Sequence, residues 1–194
     1  MTGSKAVGRR RQRMDNTRAS FERVAFALFR EQGFDATTID QLAAAVGVTK
    51  RTFFNYFPSK EALVFSVADR GIGHLKSFAK LCSKDSSPKD VIRFALMQTV
   101  SIGVEGAGRD LAQLLFSNDQ LRARQLTELE RWEVELGRAV AALTRAPKLE
   151  CRLLAATGLA ALRIAAERWA VHAKLDLPRE LDRCLNALWH SPLG

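Results

Sequence analysis

The sequence predicts an all-α protein of about nine helices, and three observations carry that expectation. Apolar residues recur at steps of three and four along most of the chain, the period of an amphipathic helix. No segment alternates with the period of two that a half-buried strand needs. Start signals (Ser, Thr or Pro) and stop signals (Gly or Pro) divide the 194 residues into pieces of helical length. With 47% apolar and 26% charged residues, the composition is that of a globular chain with a real core.

Residues 1–14, MTGSKAVGRRRQRM, have no apolar period and are expected to form a basic, disordered arm. Arg9, Arg10, Arg11 and Arg13 either stay solvated or follow a phosphate backbone or minor groove. From about Asp15 to Gln32, Phe21, Val24, Ala25, Leu28 and Phe29 mark one face of a first helix, which Gly33 ends. Thr38 with Gln41 three residues on is a capping box, and Ile39, Leu42, Ala43 and Val46 face inward from the helix it opens. Gly47 closes that helix after barely two turns. A third starts after Thr49 and stops before Pro58, and Ser59 caps a fourth with Lys60 and Glu61 in its first turn.

The rest is also read as helical. Ser87-Pro88 begins a helix to about Val104, and the glycines at 103, 106 and 108 break it. Residues 109–117 and 119–145 form a short helix and a long one, Pro147 opens another to about Lys174, and Pro178 opens the last, to 190. On that last helix Leu181, Cys184, Leu185, Leu188 and Trp189 share a face. The expected organisation is the arm, a helical unit over 15–65 and a second over 66–194, with a seam at 60–70 inside the fourth helix.

Several function classes lack their residues. Cys82, Cys151 and Cys184 are odd in number and widely spaced, which fits neither a disulfide framework nor a zinc site. His74, His172 and His190 have no partner at metal spacing, so no metal or cofactor is expected. There is no nucleophile elbow and no P-loop. The glycines of GVEGAGRD follow a helix rather than a strand and read as a turn, not a dinucleotide loop. No catalytic residue is assigned, and an enzyme is not expected. No run approaches the roughly 18 apolar residues of a membrane span, and the N-terminus is polar, so a cytoplasmic protein is expected. ELERWEVE, residues 128–135, reads as a solvated face.

Charge points instead to a polyanion. The chain carries +9 overall. Residues 1–60 hold 11 Lys/Arg against 5 Asp/Glu, a net of +6, and residues 61–194 hold 19 against 16, a net of +3. The basic part coincides with two short helices, 39–46 and 50–57, joined through a glycine turn. A helix-turn-helix puts the N-terminal residues of its second helix at base edges in the major groove. Here these are Thr49, Lys50, Arg51 and Thr52, with Asn55 one turn on. Lys or Arg bonds guanine and Asn bonds adenine. Phe53 and Phe57, four apart, are expected in the core; rings for stacking single strands would need a sheet, and none is predicted.

The stretch FREQGFDATTIDQLAAAVGVTKRTFFNYFPSKEAL, residues 29–63, resembles the DNA-binding region of the tetracycline-repressor (TetR) family, with similarity from about Thr17 to Ala68. The resemblance implies a homodimer of nine or so helices that binds a palindromic double-stranded operator and is released by a small molecule. It implies that Tyr56 and Lys60 hold backbone phosphates; Thr37 and Thr38, the latter at a helix N-terminus, are expected to join them. Phe54 stands where the family usually has tyrosine and is expected against a thymine methyl or sugar. RRTFFRYFPSK-like recognition helices, here KRTFFNYFPSK, and the long helix with LRARQLTELERWE resemble regulators that respond to acyl-CoA.

From these follow the remaining expectations. The helices 147–174 and 178–190 form a four-helix dimer interface, with Leu181, Leu185, Leu188 and Trp189 between subunits. An apolar pocket within 60–174 takes the effector, an acyl-CoA or related compound. Arg163 interrupts the apolar LLAATGLAALRIAAERW: either it pairs with Glu167 or meets the partner subunit, or it and Arg109 receive an anionic head group. The alternative is a helical interaction protein without specific DNA binding.

Overall fold

The computed structural model describes the backbone of residues 3–103 and 108–189 and the side chains of 14–102 and 108–189. Among the described residues there are nine helices and no strand: α1 (Gly3–Gln32), α2 (Ile39–Val46), α3 (Lys50–Tyr56), α4 (Lys60–Ala79), α5 (Pro88–Gly103), α6 (Gly108–Ser117), α7 (Asp119–Thr144), α8 (Lys148–Val171) and α9 (Leu177–Trp189). None is long and apolar enough to cross a membrane. The chain separates into two compact units, Met1–Val67 and Ala68–Gly194, and the division falls inside α4.

One expectation about the start of the chain is corrected. The backbone from Gly3 continues α1 instead of forming an irregular arm. Lys, Ala, Arg, Gln and Met are strong helix formers and no proline intervenes, so helix can propagate without an apolar face. The roles considered for Arg9, Arg10, Arg11 and Arg13 lie outside the described side chains, and the turn expected at 104–107, like His190, lies outside the described residues.

In the first unit α1, α2, α3 and the start of α4 close over Phe21, Ala25, Phe29, Leu42, Phe53, Phe57, Leu63 and Val64, all buried. Ser59 caps α4 as expected, its Oγ accepting from Ala62 N at 3.1 Å. In the second unit α8 is the central helix, packed on α5, α6, α7 and α9. Ser87 caps α5, accepting from Asp90 N at 3.1 Å. Gly137 lets α7 approach α8: a Cβ there would lie 3.0 Å from Arg152 Cα.

Two of the four residues expected in an interface on α9 are placed differently. Leu181 and Leu185 have no exposed surface and belong to the core that α9 shares with α5 and α8. Trp189 is half-buried and donates from Nε1 to Thr157 Oγ1 at 3.3 Å; Leu188, at 49% exposure, points out. An apolar stripe in sequence does not say which partner covers it, and here the subunit's own helices do. The large exposed apolar residues instead include Leu149, Leu153, Ile164 and Val171 on α8. At about 100° per residue these four fall within an arc of about 60°.

ELERWEVE is not simply solvated. Trp132 is buried, while Glu133 pairs with Arg152 at 2.7 Å and Glu135 with Lys76 at 3.0 Å.

Candidate nucleic-acid interface

The second helix of the helix-turn-helix is α3, and local chemistry sets its length. Gly47, at φ 77°, takes the left-handed conformation that ends α2, and its N–H bonds Ala44 O at 3.0 Å. Thr49 opens α3, its Oγ1 accepting from Thr52 N at 3.2 Å and lying 2.9 Å from the Thr52 hydroxyl. Phe57 is extended, as a residue before proline prefers, and α3 stops there.

Helical geometry then sorts the side chains. Phe53 and Phe57 share the inner side and are fully buried. Lys50, Arg51, Phe54 and Asn55 are exposed and lie within an arc of about 140° on the outer side. Thr52 and Tyr56 sit between, half-buried. The aromatic crowding is therefore mostly structural. Phe21 of α1 meets Phe53 edge-on at 5.3 Å, Phe57 edge-on at 6.0 Å and Tyr56 at 5.9 Å. Phe54 keeps 47% of its surface exposed beside the Phe53 ring at 5.7 Å. Edge-to-face pairs contribute about 0.5–1.5 kcal/mol each beyond burial, which fixes the orientation of so short a helix.

On the outer arc, Lys50 Nζ pairs with Asp40 Oδ2 of α2 at 2.9 Å. Arg51 and Asn55 have no ion pair or side-chain hydrogen bond among the described residues, so their donors face outward uncommitted. Thr38 is exposed at the start of α2 and makes the expected capping box. Its Oγ1 accepts from Gln41 N at 3.2 Å, and its N–H donates to Gln41 Oε1 at 2.8 Å.

Two expected phosphate ligands are placed differently. Thr37 is fully buried; its hydroxyl donates to Gly33 O at 2.7 Å and accepts from Gln32 Nε2 at 3.1 Å. A threonine that satisfies its own turn cannot reach a phosphate without leaving it. Lys60 is half-buried, and its Nζ donates to Phe34 O at 2.6 Å, Thr37 O at 3.0 Å and Asp35 O at 3.3 Å. The reading from sequence missed Asp40, Gln32 and Phe34. Asp40 stands ten residues from Lys50, and only the turn geometry brings the two together.

In the second unit, the Arg109 guanidinium lies 4.3 Å over the Trp169 ring. It donates to the carbonyls of Trp169, His172 (3.3 Å), Ala173 (3.5 Å) and Leu175 (3.2 Å). It caps the negative end of α8, which stops at Val171 short of the expected 174; a free head-group ligand is not what this geometry offers. Arg163 pairs with Glu167 at 3.6 Å, the first of the two expected alternatives, and Glu167 also takes Arg122 at 3.5 Å. Two side-chain atoms of α7, Gln125 Oε1 and Trp132 Nε1, are buried with no hydrogen-bond partner. Among the described residues no group of His, Cys, Asp and Glu could hold a metal.

The chain is similar to known proteins over most of its length. The sequence pattern of the tetR family of bacterial regulatory proteins matches residues 23–67, and that of the MftR C-terminal domain matches residues 87–191. The HTH-type transcriptional regulator TcmR of Streptomyces glaucescens is 27% identical over 181 residues, 88% of this chain and 80% of that protein. MftR of Mycobacterium tuberculosis, a transcriptional regulator ascribed to mycofactocin biosynthesis, is 26% identical over 70% of this chain and 68% of its own length. Among solved structures, the Thermus thermophilus repressor FadR in complex with lauroyl-CoA superposes with a TM-score of 0.60 at 26% identity, covering 91% of this chain and 95% of that one.

Proposed function

The chain belongs to the tetR family of bacterial regulatory proteins, DNA-binding transcriptional regulators and not enzymes, and from that premise we propose a homodimeric repressor of a palindromic operator, acting in the cytoplasm and released by an apolar effector. The outward arc of α3 carries the reading. Lys50, Arg51 and Asn55 offer donors suited to base edges, with Thr52 at their margin, and Phe54 offers an apolar surface for a thymine methyl. Thr38, exposed at a helix N-terminus, and the phenol of Tyr56 serve phosphate oxygens. Thr37 and Lys60 are left out of the contact set because their polar groups are committed within the turn. Residues 15–65 are thus the DNA-binding part and 66–194 the part that dimerises and senses.

Dimerisation rests on the outer stripe of α8 (Leu149, Leu153, Ile164 and Val171) with Leu188 of α9. So much exposed Leu, Ile and Val on one helix is expensive to leave in water. Two copies meeting there bring a pair of recognition helices to successive major grooves, about 34–36 Å apart.

The effector reading is an acyl-CoA or related acyl compound. FadR of Thermus thermophilus holds lauroyl-CoA, and the interior of the second unit here is built of Leu, Ala, Val and Trp. Gln125 Oε1 and Trp132 Nε1 are buried polar atoms that a ligand's polar groups would satisfy. Arg163 and Arg122 share one carboxylate and leave a net positive charge for an anionic head.

Sequencing the DNA that the purified protein retains from a genomic pool tests the core of the proposal. An inverted repeat with half-site centres about 10 base pairs apart, or a multiple of that, is expected. A retained pool with no enriched sequence overturns sequence-specific regulation.

A further inference from the structure

Resting on the effector reading, we propose that Gln125 and Trp132 of α7 form a polar subsite for the amide-bearing arm of an acyl thioester, so that the second unit distinguishes a thioester from a free fatty acid. The two stand seven residues apart, which places them within about 20° of each other around the helix and about 10.5 Å apart along it. They share the core-facing stripe of α7 with Leu121, Leu136 and Val140, all buried, and with Leu129, partly buried. Trp132 keeps only 8% of its surface exposed, yet its Nε1–H has no acceptor, and the buried Oε1 of Gln125 has no donor. Among the described residues no other buried side-chain nitrogen or oxygen is left in this state.

A polar atom without a partner in an apolar core costs stability, and the chain spends none of its own groups on these two. Their neighbours on the stripe are hydrocarbon. A buried water needs two to four polar partners, and each orphan offers one, with the next orphan two helical turns away. A single extended ligand brings both partners at once. Trp132 is a donor only and takes an acceptor, a carbonyl oxygen; Gln125 Oε1 takes a donor, an amide N–H. A fatty acid has one carboxylate at its end, which is costly to bury unpaired, and nothing polar along its tail. A pantetheine arm has the thioester carbonyl and, beyond short apolar links, two amides, so it serves both positions along α7. The hydrocarbon tail then takes the apolar remainder of the interior.

The experiment titrates the isotope-labelled full-length protein with lauroyl-CoA, lauroyl-pantetheine and lauric acid. It follows the indole N–H signals of the three tryptophans, the Trp132→Phe variant identifying the one in question. Both thioesters are expected to move the Trp132 signal downfield, as an acceptor arrives, and to slow its exchange with solvent; lauric acid leaves it in place. Gln125→Leu is expected to weaken lauroyl-pantetheine about tenfold and to leave lauric acid unchanged. The same variant should raise the melting temperature of the free protein, because it removes an unsatisfied group, whereas loss of a merely structural glutamine would lower it. Thioester binding that leaves the Trp132 signal unmoved overturns the subsite while the acyl effector stands. Equal loss of thioester and acid in Gln125→Leu, or a lower melting temperature, does the same. Binding of none of the three compounds overturns the effector reading itself, and the subsite with it.

Discussion

Asp40 on α2 holds the ammonium of Lys50, the first residue of α3, at 2.9 Å. Both side chains are more than half exposed, so the pair adds little to stability. Its effect is on binding, because a carboxylate on the DNA-facing side repels phosphate and holds back a lysine. Asp40→Asn is therefore expected to tighten binding to random DNA several-fold and to steepen its salt slope by up to about 0.9, while operator preference narrows. Filter binding at three salt concentrations reads this. Weaker binding of the variant would show that Asp40 orients Lys50 for a contact it needs.

Arg51 is the best placed of the uncommitted donors on the outer arc. If it reads a guanine, Arg51→Ala costs about 1–3 kcal/mol on the operator and much less on random DNA. Competition between the two DNAs measures the ratio. Equal loss on both would make Arg51 a phosphate ligand and move the base-reading role to Lys50 and Asn55.

Leu153 and Leu185 separate assembly from folding. Leu153 is 57% exposed on the outer stripe of α8, whereas Leu185 of α9 has no exposed surface. Leu153→Glu is expected to leave a folded monomer that has lost operator affinity, since one half-site offers few contacts. Leu185→Ala should instead lower stability by about 2–5 kcal/mol without an intrinsic change in association. Sedimentation and thermal unfolding on both variants check the division, and a Leu153→Glu protein that stays dimeric would sink it.

This pair also shows what the sequence could and could not tell. The fold class, the nine helices and the caps at Thr38, Thr49, Ser59 and Ser87 were legible, because each rests on neighbours within a few residues. So was the inward placement of Phe53 and Phe57. The partner of a stripe was not: Leu181 and Leu185 have the pattern of a dimer face and the position of a core. Nor were the partners of the charges, for Lys60 with the carbonyls of 34–37 and Arg109 with those of 169–175 are long-range pairings. The resemblance pointed to Lys60 and the sequence reading to Thr37 as phosphate ligands, but neither could show that both also bond within the turn at 33–37.

Glu180 gives a pH dependence with a definite sign. It is buried at the start of α9 and accepts from Arg168 Nε and Arg183 Nη1, each at 2.9 Å. The hydrogen bond from Arg168 first, helped by that from Arg183 against the opposing effect of burial, holds its carboxyl below the ordinary value. A depressed carboxylate contributes stability that is present above its unfolded value of about 4.3 and is lost as pH falls through the folded one. Melting temperature should therefore fall on acidification below about pH 5, and Glu180→Gln should lower it at pH 7 while flattening that acid limb. Parallel curves for the two proteins would assign the acid limb to other carboxylates.

The effector prediction tests the second unit by linkage. A ligand that binds the free form better than the DNA-bound form must release DNA by the same factor. If an apolar tail fills the interior, saturated acyl-CoAs should release operator DNA more strongly with chain length, until the space is full. Each added methylene is worth up to about 0.8 kcal/mol. Arg163→Ala leaves Glu167 with Arg122, at 3.5 Å, and removes positive charge from the proposed head-group site. It should weaken release by every chain equally and leave the chain-length trend intact. Trp132→Phe removes the orphaned Nε1 donor together with the five-membered half of the indole, so a ligand carbonyl held there would be lost and the core around it left smaller. Titrating the operator complex with each acyl-CoA and with free coenzyme A reads all three effects. Release by free coenzyme A as strong as by the long chains would overturn the apolar-tail reading, and release by none of them would remove acyl-CoA as the effector.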